Sequence, residues 1–424
     1  MLQIAHIQAN KEEVIAALQK RHFSKATELV EKAISIDNER RTTQSSLNDL
    51  QAEANTVAKS IGALMQQGKK EEANQAKEKA AQSKQAVKDL EEKLKDLEND
   101  LRNCLYEIPN TPYIDVVAGK SADDNEVIEE WGTAPSLSDD ALPHWELIKK
   151  YDIIDFELGV KVTGAGFPVY KGKGARLQRA LINYFLDKAM DAGYSEVQPP
   201  ILINEASGYG TGQLPDKEGQ MYEATADSLF LIPTAEVPIT NLYRDEIVKE
   251  ADFPIKMTGH TPCFRREAGS WGADVRGLNR LHQFDKVELV VIEHPEKSYQ
   301  RLEDMLSHVK GLLEELELPY RVLRLCGGDM GFTSAMTYDL EVYSAAQGRW
   351  LEVSSVSNFE TYQSNRLQLR YQDENKKKHL AHTLNGSALA LPRIVAAILE
   401  NNQTEDGITI PKVLQDYCRF EKID

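Results

Sequence analysis

CFRREAGSWGADVRGLNRLHQFDKVELV, Cys263 to Val290, is the stretch on which the reading of this 424-residue chain turns. Its two ends read as strands. Its middle reads as a loop holding Gly269, Gly272 and Gly277, with Arg276 and Arg280 near the loop's end. Side chains alternate across a strand, so Arg265 and Glu267 share one face of the first strand. His282, Phe284, Lys286 and Glu288 share one face of the second. A guanidinium clamps a phosphate, a carboxylate accepts a hydrogen bond from an adenine amino group, and an aromatic ring stacks on a purine. No glycine-rich phosphate loop occurs anywhere, so the pattern points to a nucleotide lying on a sheet. On these residues alone, a ladder of ion pairs across a hairpin explains the pattern equally well.

Working outward, the same texture continues. SLFLIP, KMTGHTPCFRRE, HQFDKVELVVIE, YRVLRLC, TYDLEVYSA and WLEVSSVSN read as strands, and SYQRLEDMLSHVKGLLEEL as a helix between them. LALPRIVAAILENN reads as a closing helix. ARLQRALINYFLDKAMDAGY is an amphipathic helix with Leu177, Leu181, Phe185 and Met190 near one face, followed by a short strand in SEVQPPILI. Many strands with few intervening helices predict an antiparallel sheet with helices packed on it, an α+β fold. The first hundred residues differ. Leu47, Leu50, Ala54, Val57, Ile61 and Leu64 form one narrow stripe. Ala76, Ala80, Ser83, Val87, Leu90, Leu94, Leu97 and Leu101 form a second. Gly68 offers a reversal between them, which predicts an antiparallel two-helix coiled-coil arm. By periodicity alone this is a spacer or a dimerisation element. Pro109 and Pro112 end it. The segment 111–150 reads as an acidic connection without strands, carrying Asp123, Asp124, Glu126, Glu129, Glu130, Asp139 and Asp140.

At 424 residues two or three domains are expected, and 41% hydrophobic content suffices for a globular body. A net charge of -17 argues against sequence-blind cationic binding of nucleic acid and leaves only local contact with a polyanion. Cys104, Cys263, Cys326 and Cys418 are far apart, without zinc spacing, as in reduced cytosolic proteins. No run of eighteen apolar residues and no leader-like N-terminus is present, so a soluble cytoplasmic protein is expected.

FRREAGS, the run RGLNRLHQFDKVEL and the later NGSALALPR resemble motifs 2 and 3 of the class II aminoacyl-tRNA synthetases. GYSEVQPPIL, with Pro200, resembles motif 1. PTAEVPITN, LEVSSVSN, HTLNGSALA and KVTGAGFPVYKGKGARLQRAL bring the likeness to the seryl-tRNA synthetase family over the whole chain. The resemblance implies an N-terminal tRNA-binding domain over 1–110 and a class II catalytic domain over 111–424. It implies that Arg265 holds the α-phosphate of ATP and that Glu267 and Phe284 take the adenine. Arg393 would cover the other adenine face and reach the γ-phosphate, with Arg266, Val353 and Ser354 completing the ATP contacts. Glu352 and Ser355 would bind Mg2+, making Arg265, Glu352 and Arg393 the catalytic set. Thr234, Ala235 and Glu236 would receive the serine ammonium; Glu288, Asn385 and Ser387, with Arg265, would complete the serine site.

The implied activity is ATP-dependent formation of seryl-adenylate and transfer of serine to tRNA(Ser), with tRNA(Sec) as a further acceptor, by a homodimer. Arg40, Arg41, Lys59, Lys69, Lys70, Lys77 and Lys84 on the arm are the expected phosphate contacts. Ala388 and Ala390 stand where motif 3 commonly has glycine, and Pro392 precedes Arg393, so crowding of the adenine side is expected there. Zinc ligands of the rarer archaeal type are absent from the sequence, which favours the common type. Two other readings compete. A ligase loading a carrier protein would be expected to lack the arm. A catalytically inactive scaffold would be expected to lack Arg265, Glu352 or Arg393.

Overall fold

The computed structural model describes residues 1–216, 218–267 and 276–424, so Gly269 and Gly272 of the expected loop lie outside the described residues. Contacts divide the chain into two compact units, one of Met1–Gln19 with Phe23–Pro109, the other of Lys20–His22 with Asn110–Asp424.

In the first unit two short helices, Ile4–Ala9 and Lys11–Lys20, precede α1 (Ala26–Gln66, 41 residues) and α2 (Lys70–Glu107, 38 residues). The narrow apolar stripes face one another. Leu29, Val30, Ala33 and Leu47 on α1, and Leu101, Cys104 and Leu105 on α2, are buried. Val57, Ile61, Leu64, Leu90 and Leu94, farther out, are half-buried. Two stripes give no more than a two-helix seam, so the outer part relies on cross-helix ion pairs, Lys79 to Glu53 at 2.7 Å and Lys93 to Glu39 at 2.8 Å. Such exposed pairs contribute at most about 1 kcal/mol each. The reversal uses Gly68 at φ +75°, a conformation that costs a Cβ-bearing residue energy. At 1.5 Å per residue α1 is roughly 60 Å long.

The second unit is built on a sheet that has eight strands among the described residues. They are β1 (Glu126–Trp131), β2 (Ser195–Glu196), β3 (Ile255–Phe264) and β4 (Gln283–Glu293), then β5 (Tyr320–Arg324), β6 (Met336–Ser344), β7 (Arg349–Asn358) and β8 (His382–Ala390). The spatial order is β1-β5-β6-β7-β8-β4-β3-β2, antiparallel throughout except for the short β2, which runs parallel to β3. The helices α3 (His144–Lys150), α4 (Gly172–Asp191), α5 (Ser298–Glu315) and α6 (Leu391–Asn401) accompany this sheet. Leu177, Leu181 and Phe185 of α4, Leu302, Met305 and Val309 of α5, and Ile394, Val395 and Ile398 of α6 join Val287, Leu289, Leu340 and Val356 of the strands in one core. Burying such side chains is worth about 1.5–3 kcal/mol each, which explains why their helical and strand periods were readable.

Four expectations need correcting. The acidic segment does contain a strand: β1 pairs with β5, and its carboxylates are matched by Arg324 on Glu126 (2.7 Å) and Lys310 on Glu129 (2.8 Å). The closing helix starts at Leu391, because 382–390 forms β8 between β7 and β4. The first strand of the hairpin ends at Phe264, short of Arg265 and Glu267. Met190 is 42% exposed, off the buried face of α4.

Candidate active site

Strands β4, β6, β7 and β8 present side chains to a cavity of about 700 Å³. Most of the expected residues line it. β4 alternates, so Phe284 and Lys286 point into the cavity, whereas Asp285 turns away to His260 (2.7 Å) and Gln178 (2.8 Å). Arg265 and Glu267 both line the cavity, though not as strand neighbours: Glu267 sits at φ +48°, a left-handed conformation rare for a side chain of its size. The Arg265 guanidinium lies 5.3 Å from the centre of the Phe284 ring, and Arg280 donates to Glu267 at 3.0 Å. β7 contributes Glu352, Val353, Ser354 and Ser355, and β8 contributes Asn385 and Ser387. Arg393, on the first turn of α6, donates to the Asn279 carbonyl (3.1 Å) and the Glu352 carbonyl (2.6 Å), with the Glu352 carboxylate at 3.6 Å.

Behind the lining residues Thr234, Lys286 and Asn385 lies a wired carboxylate. Glu288, fully buried, faces Gly259 on β3 and Ser387 on β8. It accepts from Thr234 at 2.9 Å, Asn385 at 2.8 Å and Lys286 at 2.6 Å. Lys286 also donates to the Thr234 hydroxyl at 2.9 Å. This ammonium is only 7% exposed and has the Glu288 carboxylate as its counter-charge. Beside them Glu236 accepts from Gln363 at 2.7 Å. Burial, and next the nearby Glu288 charge, push the Glu236 carboxyl up to about 7. The cavity lining thus brings the guanidinium groups of Arg265 and Arg393 together with the Glu236 carboxyl, groups suited to an anionic group and an ammonium group.

Besides Glu288, two expected residues lie outside the cavity lining. Arg266 follows Arg265 in an extended segment and so takes the opposite side, toward the Tyr222 ring at 6.0 Å. Ala235 is buried beneath the site as the N-cap of the short helix Glu236–Asn241. Ala388 points its methyl into the core, while Ala390 and Pro392 border the cavity beside Arg393. The crowding expected at Ala388 is therefore removed from the cavity side.

Sequence reasoning gave Lys286 no role and passed over Arg21. Arg21 is buried and donates to the carbonyls of Asn110, Met330, Gly331 and Ser334 at 2.7–3.0 Å. It fastens the segment whose Gly331, Phe332, Thr333 and Ser334 wall the cavity. Burial lowers its guanidinium to about 10. Lys286 was legible in principle, standing two residues before Glu288 on one strand face; Arg21 left no signal.

Comparison with known proteins adds an independent line. The seryl-tRNA synthetase N-terminal domain model matches residues 1–112, and the class II tRNA synthetase core domain model (G, H, P, S and T) matches residues 220–402. The serine–tRNA ligase of Salinibacter ruber is 50% identical over 425 residues, covering 100% of this chain and 99% of that protein. This chain belongs to the seryl-tRNA synthetase family. Another family member, the serine–tRNA ligase of Finegoldia magna, is 45% identical over 426 residues, with 100% of both chains covered. Among solved structures, seryl-tRNA synthetase from Pyrococcus horikoshii complexed with ATP superposes with a TM-score of 0.93 at 34% identity, covering 100% of this chain and 99% of that one. The cytoplasmic enzyme of Naegleria fowleri in complex with AMP gives 0.86 at 26% identity, covering 97% and 95%.

Proposed function

We propose that this chain is a serine–tRNA ligase that activates L-serine with ATP and transfers it to the 3′-terminal ribose of tRNA(Ser). The observation that carries the reading is the lining of one cavity: Arg265, Phe284 and Arg393 share it with Thr234, Glu236, Asn385 and Ser387, and the buried Glu288 with its three donors lies behind Thr234 and Asn385. A purine stacks on Phe284 and meets Glu267, which places the α-phosphate near Arg265. The serine ammonium pairs with Glu236, and the serine hydroxyl donates to Glu288. The serine carboxylate then faces the α-phosphorus. Its oxygen forms the new bond to phosphorus, the bond to the bridging oxygen breaks, and pyrophosphate leaves with that electron pair. Alignment of the two reactants and the fixed positive charge of Arg265 supply the rate, and no enzyme nucleophile is needed. In the second step a terminal ribose hydroxyl attacks the acyl carbon and AMP departs.

A divalent cation fits the opposite wall. The Glu352 carboxylate is exposed at the lip, and the Ser355 hydroxyl lies in register with Asp339, whose Oδ1 is buried without a hydrogen-bond partner. These are hard oxygen donors, the set that suits Mg2+. Glu352 and Ser355 would hold it, with phosphate oxygens completing the shell, and its charge would offset that of the triphosphate.

The exposed Lys59, Lys70, Lys77 and Lys84 support tRNA contact by the arm. Arg40 and Arg41 are tied to the buried Asp37 at 2.8 Å and contribute less. A homodimer and a cytoplasmic site follow from the family reading; among the described residues no helix is long and apolar enough to cross a membrane. The test is charging of tRNA(Ser) and tRNA(Sec) transcripts with labelled serine. Label on tRNA(Ser) is expected, with label on tRNA(Sec) deciding the second acceptor. Purified, folded protein that labels neither refutes the proposal.

A further inference from the structure

Outside the proposed substrate contacts, a buried histidine has both ring nitrogens engaged. His144 opens α3, is 0% exposed, and uses both ring nitrogens. Nδ1 lies 2.6 Å from Glu400, whose carboxylate also accepts from the His144 backbone N–H (2.9 Å), the Ser344 hydroxyl and Gln347 (3.0 Å). Nε2 accepts from the Leu278 backbone N–H at 2.9 Å. Because Nε2 accepts from a backbone N–H, Nδ1 is the ring nitrogen that donates, to Glu400. The fit is close: Gly277, at φ +63°, passes so near that a Cβ there would stand 2.3 Å from Nε2. Arg276 lies 4.9 Å from the neighbouring Trp145 ring, a second contact between α3 and this segment.

These bonds form a closed circuit. Glu400 and Arg393 belong to the same helix, α6. Arg393 donates to the carbonyl of Asn279, the residue after Leu278. Asn279 in turn donates to Gln347, which donates to Glu400. Leu278, Asn279 and Arg280 border the cavity, and Arg280 pairs with Glu267. We infer that His144 is a positioning residue for the proposed nucleotide contacts of the cavity: by accepting the Leu278 N–H while anchored on Glu400, it fixes segment 277–280 against α6 and so sets Arg393 and Glu267 in place. It touches no substrate. The inference rests on the proposed use of those contacts for ATP.

Two substitutions separate positioning from bulk support. His144→Asn keeps an amide N–H near Nδ1 for Glu400 and removes the acceptor of the Leu278 N–H. His144→Gln restores an amide oxygen near Nε2. Titration calorimetry on the full chain measures ATP and serine binding separately. The Asn variant is expected to weaken ATP binding roughly tenfold, the effect of one buried N–H left unsatisfied. Serine binding should stay within about twofold, and the Gln variant should recover most of the ATP affinity. Unchanged ATP binding in the Asn variant, equal loss for both ligands, or a Gln variant no better than Asn overturns the inference. Nitrogen-15 NMR of the wild-type imidazole removes dependence on the variants' folding: a proton on Nδ1 is expected, and a proton on Nε2 overturns the inference. Wild-type protein that binds ATP and yet does not activate serine would sink the functional proposal instead, leaving the ATP affinities of the two variants to decide the role of His144.

Discussion

Replacing Glu288 with glutamine exchanges one carboxylate oxygen for an NH2 group and removes one charge. A carboxylate offers roughly four acceptor positions. Three are filled here, by Thr234, Asn385 and Lys286. One remains for the hydroxyl of serine. A glutamine amide has only one oxygen, and its NH2 faces a group that donates, so the substrate hydroxyl loses its acceptor and the Lys286 ammonium loses its counter-charge. A hydrogen bond to a charged group is worth about 1.5–3 kcal/mol, which corresponds to a rise in serine KM of roughly 10- to 100-fold. The broken buried pair lowers stability by about 3 kcal/mol, the lower end of its usual range because glutamine keeps the shape. The proposed ATP contacts, Arg265, Phe284 and Arg393, do not touch Glu288, so the ATP KM should stay within about twofold. Pyrophosphate exchange with serine varied at saturating ATP, then the reverse, measures both. An unchanged serine KM, or an ATP KM that rises in parallel, would refute this placement of the substrate hydroxyl.

Four further outcomes follow from the same geometry. Because burial and Glu288 push Glu236 up to about 7 from an ordinary 4.5, the ionised form that pairs with an ammonium grows in as pH rises. Serine affinity should therefore tighten through pH 7 and flatten in Glu236→Gln. In the absence of serine, the native protein keeps a proton between pH 4.5 and about 7 that the unfolded chain has lost. Its stability should consequently fall as pH rises through that window, and Glu236→Gln should be the more stable protein at pH 8; the reverse order in urea titrations would contradict the raised value. Arg21→Met strands four carbonyls and should lower stability by at least about 3 kcal/mol, read from the urea midpoint; a shift below about 1 kcal/mol would show that they find other donors. Excising 44–91 from the arm, with a glycine-rich turn in its place, should leave serine-dependent exchange intact and abolish tRNA charging; normal charging would exclude the arm from tRNA binding.

The sequence disclosed what short-range physics controls. Alternation on β4 placed Phe284, Lys286 and Glu288 together, and the heptad stripes of α1 and α2 revealed the arm. β8 was not legible because HTLNGSALA is small and polar, with no β-branched or aromatic run; it is a strand because β7 and β4 hydrogen-bond it on both sides. β1 was hidden by its own glutamates, whose cost is met by Arg324 and Lys310 from elements nearly two hundred residues away. Arg266 shows the limit of a motif: the sequence sets two arginines side by side, and the extended backbone sends them to opposite sides. The ion pair of Lys286 needed Thr234, which is 52 residues distant, before its meaning appeared. Arg21 had no local pattern at all, since its partners are four backbone carbonyls that only the folded chain assembles.

The most direct test of the whole account is amino-acid-dependent exchange of pyrophosphate into ATP, run without tRNA and with each of the twenty amino acids in turn. Exchange with serine alone is the predicted result. Exchange driven by another amino acid would contradict the substrate assignment at Glu288 and Glu236, and no exchange from folded protein would contradict the activation chemistry assigned to Arg265 and Arg393.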